Sequence, residues 1–80
     1  MNLHLIKGHF AAKDALDIIT RMVHEKIKYH ESKISRHSNE EDIKHDEKRI
    51  KELQKELYEI RKYIEAKNGL VDINTVIEIT

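Results

Sequence analysis

Apolar residues recur at helical spacing in two long stretches, one on each side of a polar segment at residues 36–41. Spacings of three, four and seven residues place side chains on one face of a helix. The pattern predicts two amphipathic helices, over about 12–37 and about 40–67, joined by a turn at 38–39. The first stripe is Leu16, Ile19, Val23, Ile27 and Ile34, and the second is Ile43, Ile50, Leu53, Leu57, Ile60 and Ile64.

The two stripes match in register when the chain folds back at the polar segment. Ile34 then faces Ile43, Val23 faces Leu53, and the remaining apolar positions follow with nearly the same offset. This agreement predicts a long antiparallel two-helix hairpin with coiled-coil-like packing.

Local signals mark the helix ends. Ser38, followed by Glu41 three residues later, matches a capping box for the second helix, and Asn39 is a competing cap. Asn68 and Gly69 predict the end of that helix, since both residue types tolerate a left-handed backbone.

Both ends of the chain have the alternation and β-branched content of short strands. We expect one strand over about 2–6, broken by Gly8, and a second over about 71–79. A helical hairpin brings its outer ends together, so the strands are expected to pair there. The predicted fold is mainly α, a single domain over 1–80 with the order β-α-α-β.

The first helix carries a second apolar stripe, Ala15, Ile18 and Met22, although a helix packed against one partner needs only one. We expect two copies to cover this stripe by forming a four-helix-bundle-like homodimer. The residues expected at that interface are Phe10, Ala15, Ile18, Met22, Ile77 and Ile79.

Composition narrows the function classes. There are fifteen basic and fifteen acidic residues, so no net charge draws the chain to nucleic acid or anionic lipid. The chain has no cysteine, which excludes disulfides, thiolate metal sites and thiol nucleophiles. It also shows no secretory signal and no apolar run of membrane-spanning length, so we expect a cytoplasmic protein without membrane association.

The hairpin register places His30 opposite Asp46 or Glu47. A polar layer that fixes register is the favoured interpretation, and a metal site around His30 and Asp46 is the alternative. His24 and His30 lie six residues apart, which does not match the zinc-protease helix motif. No phosphate-binding loop or nucleophile elbow is present, so we expect neither a cofactor nor catalysis.

A basic row on the second helix supports an alternative function, that of a nucleic-acid-associated regulator. An adjoining acidic row disfavours it. The favoured hypothesis is a small non-catalytic structural or protein-interaction module that acts as a homodimer, with an unidentified protein as a further partner. The basic row is Lys44, Lys48, Lys51, Lys55 and Lys62, and the acidic row is Glu41, Glu52, Glu56 and Glu59.

Overall fold

A computed structural model describes residues 1–36, 39–67 and 69–80. In chain order the elements are β1 (Asn2–Ala11), α1 (Ala12–Arg36), α2 (Glu40–Glu65) and β2 (Leu70–Glu78). The helices pack together as a hairpin, and the strands form a two-stranded antiparallel sheet. The predicted mainly helical β-α-α-β order is confirmed.

Helix α2 begins with a side-chain cap. The Glu41 amide donates a 2.8 Å hydrogen bond to Oδ1 of Asn39, which satisfies one of the free N–H groups of the first turn. Glu40, Glu41 and Asp42 place negative charge at this positive helix end. The competing cap at Asn39 therefore forms.

Three residues named in the predictions lie outside the described residues. They are His37, the predicted last residue of the first helix, Ser38 of the capping box, and Asn68 at the predicted end of the second helix.

Strand β1 is longer than predicted, and it reaches Ala11 without ending at Gly8. Pairing with a strand distant in sequence explains the difference. Gly8 lies opposite Ile73 in the sheet, and the strand pairing continues through it. A register shift between His4 and Ile6 interrupts the alternation, as a β-bulge does. Beyond this shift, at the free end of the strand, Leu3 is exposed.

The core lies where the sheet covers the open end of the helical hairpin. Ala15 from α1, Ile64 from α2, and Val71 and Ile73 from β2 are buried together there. Partly buried residues complete this cluster: Ile6, Phe10, Ala12, Leu16, Ile19 and Ile60. Two layers thus meet on one small core, which places the helices and the sheet relative to each other.

The predicted helical stripes account for the rest of the buried apolar surface. Ile27 of α1 and Leu53 and Leu57 of α2 are buried. Burying one such side chain contributes about 1.5–3 kcal/mol, so these residues stabilise the hairpin away from the sheet. Over the described residues, neither helix has the length and apolar character needed to cross a bilayer.

Candidate functional site

A histidine–carboxylate pair joins the two helices in the interior of the hairpin. Nδ1 of His30 lies 2.7 Å from Oδ1 of Asp46, and the two residues are only 6% and 1% exposed. When the carboxylate is ionised it only accepts hydrogen bonds, and in that state Nδ1 of His30 is the donor. The register predicted from the apolar stripes places His30 opposite Asp46 or Glu47, and in the structure His30 contacts Asp46.

A third polar group reaches the same carboxylate. Nζ of Lys33 lies 3.5 Å from Oδ1 of Asp46, and its side chain is about a third exposed. Lys33 follows His30 by three residues, which places both on the same side of α1 one turn apart. Its ammonium also lies 5.4 Å from the ring centroid of Tyr29. That helical spacing is the sequence signal that would have found Lys33.

The remaining nitrogen of His30 and the acidic groups around it complete the description of this layer. Nε2 of His30 is buried and has no hydrogen-bond partner among the described residues. Within residues 1–36, 39–67 and 69–80, no three His, Cys, Asp or Glu side chains are grouped to hold a metal ion. A structural zinc site uses four protein ligands, whereas the metal hypothesis names two, His30 and Asp46. In this geometry the pair links one buried position on α1 to one buried position on α2.

The predicted interface residues divide between core and surface. Ala15 is 0% exposed within the core of the chain itself, so its side chain is not on a surface that a second copy could contact. Phe10 packs partly against the same core. The more exposed members are Met22 at 38%, Ile77 at 40% and Ile79 at 57%, and Ile18 is half-buried.

Further apolar side chains are exposed near the free end of the sheet, where the first residues of β1 meet the last residues of β2. Leu3 lies directly opposite Ile77, and Met1 exchanges two backbone hydrogen bonds with Ile79. Leu3 and Met1 were not among the predicted interface residues. We name the set Met1, Leu3, Ile77 and Ile79 the apolar sheet end.

The basic row of α2 is exposed along its whole length. Nζ of Lys62 lies 4.6 Å from the ring centroid of Tyr58, and Lys44 pairs with Glu40 at 3.3 Å. Acidic side chains lie nearby, since Arg49 contacts both Glu52 and Glu56. The row is therefore accessible, and its positive field is partly offset.

A second histidine–aspartate pair lies on the sheet surface. His9 of β1 contacts Asp72 of β2, and both side chains are more than two-thirds exposed. The two residues face each other directly in the strand register. Sequence reasoning missed the pair because the predicted first strand stopped before His9.

A comparison with known proteins finds no family model, no curated protein and no solved structure that matches this chain.

Proposed function

We propose that the chain is a small cytoplasmic, non-catalytic structural or protein-interaction module that acts as a homodimer. The observation that supports this most is the apolar sheet end. Along β2, Val71 and Ile73 are buried, and Ile77 lies on the same face because side chains alternate along a strand. The face that builds the core therefore continues as exposed apolar surface.

The size of the molecule is consistent with a partner subunit. A stable interface takes about 800 Å² from each partner, roughly one eighth of the 6432 Å² surface of this chain. A chain this short also buries a smaller fraction of its surface than a larger domain does, so association adds stability that one core cannot supply. The formal net charge of +0 removes the long-range repulsion that opposes self-association.

Helix α1 provides the second part of the proposed interface. Ile18 and Met22 lie four residues apart on one face of α1 and do not belong to the core cluster under the sheet. We infer that these side chains meet the second copy, so that two hairpins bring four helices together in a bundle-like assembly.

Light scattering coupled to size-exclusion chromatography tests the proposal. The parent is expected to have twice the single-chain mass of 9.5 kDa. Met22→Glu and Ile77→Glu are expected to shift the protein to the single-chain mass while keeping its helical circular dichroism, because each places a charge on exposed apolar surface.

His24→Glu is the matched control on α1, since His24 is exposed and lies about 200° around the helix from Met22. It should leave the mass of the dimer unchanged. A parent with the mass of one chain would refute the homodimer.

The exposed basic row favours the second candidate, a nucleic-acid-associated regulator. Lys44 to Lys62 spans about 27 Å of helix axis, enough to follow several phosphates. This candidate expects binding to duplex DNA or RNA at about 50 mM salt that weakens steeply by about 200 mM, and a clear loss of binding in Lys51→Glu. Lys28→Glu on α1 is the charge-matched control. Absence of binding at the lower salt would remove this candidate.

A further inference from the structure

We propose that the homodimer forms by antiparallel pairing of the two β2 strands about Asn74, which gives a four-stranded sheet of order β1-β2-β2-β1. This inference rests on the proposed homodimer and specifies the strand edge through which the two copies associate. The sheet has two strands, so each strand has one edge unpaired within the chain. A two-stranded sheet is marginally stable in water, and an unpaired edge is a template for another strand.

The two edges are not equivalent. Strand β1 carries the register shift between His4 and Ile6, and Lys7 follows it. Bulges and edge lysines are devices that prevent a strand from pairing with another chain. Strand β2 extends over nine residues without lysine, glycine or proline, and its pairing with β1 is regular up to its last residues. The edge of β2 is therefore the one suited to a second copy.

Charge selects the register along this edge. When two β2 strands pair antiparallel with Asn74 on the two-fold axis, Asp72 lies opposite Val76 of the other copy. A slip that moves the axis to Thr75 would instead set Asp72 opposite Glu78, and directly opposed like charges destabilise a strand pair. A slip that moves the axis the other way along β2 leaves two fewer residues of each β2 strand paired. The pairing about Asn74 uses the whole strand without opposing carboxylates.

The same register provides a partner for the exposed end of the core face. Pairing about Asn74 sets Ile77 of one copy opposite the partner's Val71, which is buried within its own chain. Directly opposed side chains on one face of a sheet contact each other. Ile77, 40% exposed in the single chain, then extends the partner's core, and symmetry forms the contact twice.

Single cysteines test this register, because the natural chain has none. Residues directly opposite in antiparallel strands have Cα atoms about 4.5–5.5 Å apart, which lies within the range of about 4.4–6.8 Å for a disulfide. Asn74→Cys therefore brings two thiols together on the axis. Asn74 is exposed, so the change does not disturb the core.

Asp72→Cys is the matched control on the same exposed face. Its two copies would lie four positions apart along the paired strands, about 13 Å, which is too far for a disulfide. Each variant is first shown by light scattering under reducing conditions to have the parent's mass. Both are then oxidised mildly at the same low concentration and followed on non-reducing gels.

We expect Asn74→Cys to form a covalent dimer at least about tenfold faster than Asp72→Cys, because the thiols on the axis react as if within one molecule. If the parent has the mass of two chains and the two variants cross-link at equal rates, the strand pairing is overturned and the homodimer stands. If the parent has the mass of one chain, the homodimer and the strand pairing both fail.

Discussion

The buried contact between His30 and Asp46 predicts that two single substitutions destabilise the protein while their combination does not. His30→Leu removes the hydrogen-bond partner that lies 2.7 Å from a carboxylate only 1% exposed. Removing one partner of such a pair costs about 2–4 kcal/mol of unfolding free energy, since the remaining charge stays desolvated.

The reverse change is expected to be milder. Asp46→Leu leaves a buried imidazole whose Nε2 already has no partner among the described residues, and a loss of about 1–3 kcal/mol follows. In the double variant both polar groups are replaced by apolar side chains, so that no charge is left buried without its partner. Its stability should lie within about 1 kcal/mol of the parent, as found when buried ion pairs are replaced by packed apolar groups.

Urea denaturation followed by circular dichroism measures all four proteins. The protein concentration is held constant, because association contributes to apparent stability. Thermal melts provide a second measure, since 1 kcal/mol corresponds to a shift of about 4–8 °C in a domain of this size.

The exposed contact between His9 and Asp72 is the matched control, because it joins the same residue types outside the core. The same leucine substitutions there should show a coupling energy below about 1 kcal/mol. The reasoning is refuted if each buried single substitution loses less than about 0.5 kcal/mol, or if the buried double variant loses the sum of the two singles.

Substitutions at three further positions test other features. Asn39→Ala should lower the unfolding free energy by about 1 kcal/mol in urea melts, because the cap on the Glu41 amide is lost, whereas Asn39→Ser should retain most of it. Gly69→Ala should cost about 1–2 kcal/mol from its φ of +106° alone, since an added Cβ meets no atom within 4 Å; an unchanged melt would contradict this. Ile64→Ala should cost about 2–5 kcal/mol as a cavity at a residue 3% exposed, and a loss below about 1 kcal/mol would argue against this core.

The hairpin and its polar layer could be predicted because both follow from periodicity. Two stripes that align over several turns indicate one register, which brings His30 close to Asp46 and Glu47, and the structure shows the contact with Asp46. The length of β1 could not be predicted in the same way. Local propensity predicts that the strand ends at Gly8. In the structure Gly8 pairs with Ile73, which is distant in sequence, and the strand continues through it.

That some predicted interface residues are buried and others exposed could not be predicted, for a related reason. Ala15 and Met22 belong to the same apolar stripe, so periodicity alone does not predict which of them is buried within the chain. The sheet covers Ala15 and leaves Met22 38% exposed. How far a two-stranded sheet extends along a helix depends on strand length and on the bulge in β1, neither of which is encoded in the helix itself.

The pairing of the first strand with the last sets the order in which the molecule assembles. The helices are neighbours in sequence, because α1 ends at Arg36 and α2 begins at Glu40, whereas the sheet pairs Asn2 with Glu78. Closing a long loop costs more entropy than closing a short one, so the hairpin forms before the sheet. Strand β2 follows both helices in the chain, so during synthesis β1 has no partner strand until the hairpin has been made. Over that interval the charge of Lys7 disfavours pairing of β1 with strands of other nascent chains.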